Sequence, residues 1–146
     1  MLANCSPIKL VNFAVLQSQF RFIQPKRKIR DLSKLFDKYD IDIDFAHQQG
    51  DDSIQVFVKI GINQCSKPTP GYQVFVEGVA VFKLTETTSL SEKDISNLKY
   101  FSTVNILIGY LRNTIVTLTA SAPLGPYLLP TIDVNDLFKK KKEAAT

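Results

Sequence analysis

From Phe13 to Ile23 the chain alternates. Leu16, Ser18, Phe20 and Phe22 fall on one side and Val15, Gln17, Gln19 and Arg21 on the other, which predicts a first strand. Pro25 ends it, and Lys26 to Tyr39 follows as a basic, amphipathic crossover. There Ile29, Leu32, Leu35, Phe36 and Tyr39 share helical spacing, so a short helix is expected. Ile41 to His47 sets Ile41, Ile43 and Phe45 against Asp42 and Asp44, the pattern of a half-buried second strand. Turn formers around Gly50 reverse the chain. Ile54, Val56, Val58, Ile60 and Ile62 then make the inner face of a third strand, with Gln55, Phe57 and Lys59 outward. The segment Asn63 to Gly71 holds Pro68 and Pro70, cannot continue a ladder, and reads as a mobile loop. Tyr72 to Leu84 is apolar on both faces, as expected of a strand central in its sheet.

The pattern changes at Ser91, whose hydroxyl can cap a helix that has Asp94 in its first turn. Apolar residues from Ile95 to Leu118 spread around too much of this helix for one stripe. One face is expected on the chain's own sheet and a second on another copy, with Leu107, Ile108, Leu111, Ile115 and Leu118 as the oligomer contact. A Pro/Gly turn, Ala122 to Tyr127, leads through Pro130 to a short final helix capped by Asp133 or Asn135. Strands followed by helices give an α+β fold: a four-stranded antiparallel sheet with a long helix and a short C-terminal helix on one side. Residues 1–146 form a single domain, with 1–12 irregular, 13–138 the folded core and 139–146 a basic flexible tail.

The 146 residues, 45% of them apolar, suffice for one real core. There are 18 basic and 14 acidic side chains, and much of the excess sits in Lys26 to Arg30 and Lys139 to Lys142. Such runs are ordinarily solvated faces. The alternative is a basic nucleic-acid-binding module using Lys26, Arg27, Lys28, Arg30 and Lys139 to Lys142. Val104 to Leu118 is the most apolar run, but Asn105, Arg112 and Asn113 interrupt it and it falls short of the ~20 residues a membrane span needs. No export signal pattern opens the chain, and Cys5 and Cys65 lie too far apart for CxxC spacing, so reduced thiols in the cytosol are expected.

Little points to catalysis. His47, the single histidine, has no neighbour at metal-ligand spacing and reads as a surface residue beside a turn. Asp42 with Asp44, and Asp51 with Asp52, are explained by a solvated strand face and a turn. There is no GxxxxGK[ST], GxGxxG or GxSxG. The expectation is therefore no enzyme, no cofactor and no metal. Apolar surface beyond what a monomer buries remains, and it marks protein contact. Phe22, Leu32, Leu35, Phe36, Tyr39, Tyr127, Leu128, Leu129, Leu137 and Phe138 sit on links and a short helix, where they could line an adaptable groove or simply close over the sheet edge.

Two stretches carry a family resemblance. Asn105-Ile106-Leu107-Ile108-Gly109-Tyr110-Leu111-Arg112 and Pro130 through Phe138 resemble SecB and the SecB-like chaperones, whose pattern is Asn-Ile-Leu-x-x-Tyr-x-Arg, a Pro-containing turn, and a closing segment ending in Leu-Phe. Element order agrees over about residues 13–138. The resemblance implies a cytoplasmic homotetramer, a dimer of dimers with the long helices central. It would hold unfolded polypeptide clients in grooves without nucleotide. It also implies partners: the export motor SecA, docked on an acidic sheet face that Phe75 and Glu77 match, or the antitoxin of a toxin–antitoxin system. Gln17, Gln19 and Arg21 stand where the docking strand carries acids, and the tail is basic. These departures count against SecA docking and leave client holding untouched. The expected function is an ATP-independent chaperone that keeps clients competent for export or for assembly with a partner such as an antitoxin.

Overall fold

The structure, a computed structural model, describes residues 1–85 and 89–146. Its centre is an antiparallel sheet of β1 (Ile8–Ile23), β2 (Ile41–Gln49), β3 (Ser53–Ile62) and β4 (Gly71–Leu84) in the order β1-β4-β3-β2. β4 is central, as its two apolar faces required. Its inner residues Tyr72, Val74, Val76 and Phe82 are fully buried, as are Val56, Val58, Ile60 and Ile62 of β3.

β1 departs from expectation in two ways. It starts at Ile8, within the stretch expected to be irregular, because Ile8 pairs with Leu84 and the Thr85 N–H donates to the Pro7 carbonyl at 2.8 Å. Its register also shifts between Leu10 and Asn12 and again between Val15 and Gln17. Each shift inserts one residue and reverses which face the next side chains take. Val15 therefore lies opposite Gly78 on the helix-covered face, with Ser18 opposite Val76, and the simple alternation that grouped Val15 with Gln17 is corrected. Strict period-two reading cannot see a bulge. Val11, Val15 and Leu16 stay 51%, 41% and 54% exposed on this edge strand.

The segment expected to be a mobile loop is bonded across its base. Asn63, at φ 58, donates from Nδ2 to the carbonyls of Thr69 (2.7 Å) and Tyr72 (2.8 Å) and accepts the Thr69 N–H at 2.9 Å. Asparagine tolerates this left-handed backbone and supplies the amide that closes the loop.

Helical structure runs from α2 (Glu92–Ser96) through a π-helical stretch, Asn97–Ser102, into α3 (Thr103–Thr119). Ser91 caps it as expected, accepting the Asp94 N–H at 3.1 Å and donating to the Asp94 carboxylate at 2.8 Å. α3 lies on β3 and β4 and buries Val104, Leu107, Ile108, Leu111 and Ile115. Each such side chain contributes about 2 kcal/mol of apolar transfer. A Cβ at Gly78 would meet Leu111 Cδ2 at 2.8 Å, so a glycine on β4 lets the helix approach.

That packing corrects the expected oligomer face. Leu107, Ile108, Leu111 and Ile115 are at most 1% exposed within one chain, and Leu118 is half-buried against the same core. Helix period puts Ile106, Tyr110, Asn113 and Thr117 on the opposite side, where Tyr110 is 45% exposed and open space surrounds Gly109.

The crossover contains α1 (Leu32–Phe36), capped by Asp31, and the chain closes with α4 (Val134–Ala144), capped by Asp133. α4 carries helix through the region expected to fray, because the tail lysines find carboxylates. Lys140 lies 2.7 Å from Asp136 one turn earlier, and Lys141 pairs with Asp44 on β2.

Candidate functional site

The side chains singled out on the links separate into two places. At the crossover, Phe36 meets Tyr39, Tyr72 and Tyr127 with ring centroids at 5.6, 5.6 and 5.1 Å, and Tyr39 meets Tyr127 at 5.8 Å. Phe20 and Phe22 reach Tyr72 from β1 at 5.2 and 6.3 Å. On the same face but at the β2 edge of the sheet, Phe138 of α4 stacks on Phe45 at 4.5 Å and on Phe101 at 5.8 Å. Phe138 therefore does not join the crossover group, and its neighbour Leu137 is half-buried against the core. Tyr72 and Phe20 had been assigned only to strand faces; the shared position along paired β1 and β4 is what brings them in.

Hydrogen bonds fix the crossover cluster. The Tyr39 hydroxyl donates to the Pro70 carbonyl at 3.1 Å and accepts the Tyr72 N–H at 2.8 Å. The Tyr72 hydroxyl donates to the Gly125 carbonyl at 2.8 Å and accepts the Leu124 N–H at 2.7 Å. Thr119 Oγ1 accepts the Tyr127 N–H at 2.8 Å, and Arg112 donates to the carbonyls of Leu129 (3.0 Å) and Pro130 (3.2 Å). The post-helix segment is strapped down so that Tyr127 and Leu129 point in while Leu128, 69% exposed, points out. Burial pushes the phenols of Tyr39 and Tyr72 up and that of Tyr127 up to about 12, so all three hold their protons further into alkaline pH than a free phenol.

Tyr39, Tyr127 and Leu129 are thus at most 6% exposed and form a floor rather than an open lining. Phe22, Leu35 and Phe36 are half-buried, and Leu32 and Leu128 are exposed. Beside this floor lies an open cavity of about 670 Å³ between the crossover and the Pro68–Pro70 loop, walled by Ile23, Pro25, Ile29 and Leu35. Across the Gln24–Ile29 ridge is a second cavity of about 560 Å³, lined by Phe22, Pro123 and Leu124. The walls therefore include prolines and isoleucines that aromatic content alone did not mark.

His47 is not the solvent-facing residue expected. Its Nε2 donates to the Tyr100 carbonyl at 3.1 Å, and its ring packs against Tyr100 at 5.2 Å and Phe45 at 5.8 Å. Among the described residues no group of three or more His, Cys, Asp or Glu is placed to hold a metal ion. Phe75 and Glu77 lie half-buried on the sheet face away from α3, opposite Gln19 and Gln17, with Glu77 4.0 Å from Lys59.

The family model described as "Preprotein translocase subunit SecB" matches residues 32–145. The chain belongs to the SecB family. The match spans α1 through α4 and begins after the basic run Lys26 to Arg30. Among solved structures, this SecB-family chain is similar to the Mycobacterium tuberculosis Rv1957 SecB-like chaperone, in complex with a ChAD peptide from the Rv1956 HigA1 antitoxin. Identity is 15%, the TM-score is 0.58, and the alignment covers 86% of this chain and 88% of that one. A protein of unknown function from Streptococcus agalactiae aligns at TM-score 0.41 and 12% identity over 85% and 97% of the two chains. No curated protein sequence matches the chain.

Proposed function

We propose that this SecB-family chain is an ATP-independent chaperone that holds non-native polypeptides at the crossover groove and keeps them competent for export or for assembly with a partner, including an antitoxin. The observation that carries the reading is the pair of open cavities astride the Gln24–Ile29 ridge, set over a hydrogen-bonded aromatic floor. A holdase needs apolar wall that water can reach and a client can cover, without demanding one sequence. Leu32, Leu35, Phe22 and Leu128 supply reachable apolar groups, and Tyr39, Tyr127 and Leu129 support them from beneath.

The working unit in this reading is a cytoplasmic homotetramer, a dimer of dimers, assembled over the outward face of α3 and the free edge of β1. Exposed Val11, Val15, Leu16 and Tyr110 favour such contact. Phe75 and Glu77 remain the candidate partner-docking pair. Because Gln17, Gln19 and Lys59 surround Glu77, the face lacks an acidic field, which favours a partner other than SecA.

The test is dilution of a chemically denatured substrate into buffer with the purified chain at molar excess, followed by light scattering. Suppressed aggregation, equal with and without ATP, is the expected result. Undiminished aggregation would overturn the reading.

A further inference from the structure

We propose that the crossover groove selects polypeptide segments in which acidic residues flank apolar ones. This deepens the holdase reading and rests on it.

The larger cavity is apolar in its walls and basic at its rim. Ile23, Pro25, Ile29, Leu35 and Pro70 line it, and Lys26, Arg27, Lys28, Lys34 and Lys38 surround them. Its single lining carboxylate, Asp31, is already engaged: it caps α1 through the Lys34 N–H and lies 3.9 Å from Lys34 Nζ. Among the described residues, no carboxylate stands within ion-pair distance of Lys26, Arg27, Lys28, Arg30 or Lys38. In the chain's other basic run two of the four lysines, Lys140 and Lys141 of α4, are met by Asp136 and Asp44. Net charge alone does not explain that contrast. The Gln24–Ile29 ridge keeps like charges crowded with no carboxylate of the described residues within ion-pair distance, so an incoming carboxylate relieves repulsion while its apolar neighbours enter the cavities on either side.

The two cavities share six lining residues, Gln24 to Ile29, so Lys26, Arg27 and Lys28 border each of them. A client chain crossing the ridge from one cavity to the other must pass these three side chains. Alternating apolar and acidic residues match that path, whereas basic flanks meet repulsion. Selection of this kind is electrostatic and exposed, hence modest in size and sensitive to salt.

The experiment uses the full chain and three fluorescein-labelled unstructured peptides with one shared Leu/Phe core, flanked by Glu, Ser or Lys. Anisotropy titrations at low salt should rank them Glu, Ser, Lys, with roughly tenfold between the first and last, the size several exposed pairs supply together. The gap should close as ionic strength approaches about 0.5 M, where screening reaches only ~4 Å. The triple substitution Lys26→Ser, Arg27→Ser, Lys28→Ser, on exposed positions, should close it as well, so that the three peptides bind alike. Equal binding of all three peptides would overturn the acid preference and leave the holdase reading standing. Binding of none would remove both. A single-stranded oligonucleotide that displaces the Glu-flanked peptide through the same three cations, at lower concentration than the peptide itself, would overturn the proposal and assign the ridge to nucleic acid.

Discussion

The Tyr39 hydroxyl accepts the N–H of Tyr72 at 2.8 Å, joining the crossover to the first turn of β4. Gly71, just before, sits at φ +110, and a Cβ there would overlap that same hydroxyl. The aromatic floor thus depends on a missing side chain and a retained oxygen. Tyr39→Phe leaves the buried Tyr72 N–H without its acceptor and should cost about 1–3 kcal/mol. Gly71→Ala adds both overlap and a strained backbone, so it should cost more than Tyr39→Phe. Urea unfolding of the two variants checks the order; a Gly71→Ala variant as stable as the parent would show the floor to be looser than described.

Two adjacent positions on α3 separate folding from assembly. Leu111 is fully buried over Gly78, and Tyr110 is 45% exposed with its ring 5.0 Å from Phe13. Leu111→Ala should lower stability by about 2–5 kcal/mol through the cavity it leaves. Tyr110→Asp should leave secondary structure and unfolding nearly unchanged but reduce the particle mass, because a charge would fall in the proposed subunit contact. Multi-angle light scattering beside circular dichroism makes the comparison. Unaltered mass for Tyr110→Asp would refute the placement of that contact.

Much of this was legible in the chain. The alternation of β2, β3 and β4, the Ser91 cap and the Asp133 cap all follow from local pattern, since each depends on neighbours a few residues away. What escaped depends on distant partners. The bulge at Leu16 changes which β1 residues face α3, and α4 reaches Ala144 because Asp44, nearly a hundred residues away in sequence, meets Lys141. Tyr72 gave no sign of its role, since its strand position explained it fully until Leu124 and Gly125 came to its hydroxyl. The excess apolarity of the long helix was assigned partly to another copy, but Leu107, Ile108, Leu111 and Ile115 are spent on the chain's own sheet.

Alkaline stability should follow Tyr127. Burial, with smaller contributions from Tyr39 and Asp37, raises its phenol from the ordinary 10.0 to about 12. The folded state therefore favours the neutral phenol. Its contribution is fully present below pH 10 and is lost as pH rises through about 12, because the unfolded chain releases the proton first. Tyrosinate absorbance should show a late-titrating component that Tyr127→Phe removes. The same variant should soften the fall in denaturation midpoint over that window; a titration curve identical to the parent's would place the high-pH phenol elsewhere.

Acid stability should follow His47, the one histidine in the chain. Burial is the main cause holding its imidazole below the ordinary 6.5, and Lys141 adds to it while the Tyr100 carbonyl works in the other direction. The folded state prefers the neutral ring, so stability is present above pH 6.5 and declines as pH falls through the depressed folded value. Asp44 titrates in a separate window: Lys141 holds its carboxyl below 3.8, so its contribution is present above 3.8 and is lost as pH falls through the depressed value. Protonated His47 would sit among Phe45, Tyr100 and Phe138, and the weakest attachment there is α4, held to β2 through Phe138 and Lys141. Hydrogen exchange of residues 134–144, expressed relative to the intrinsic rate at each pH, should therefore speed up as pH falls below 6.5, before that of β3 or β4 does. His47→Gln should abolish that acceleration, and α4 protection that stays constant across the window in the parent would show that the ring remains neutral throughout.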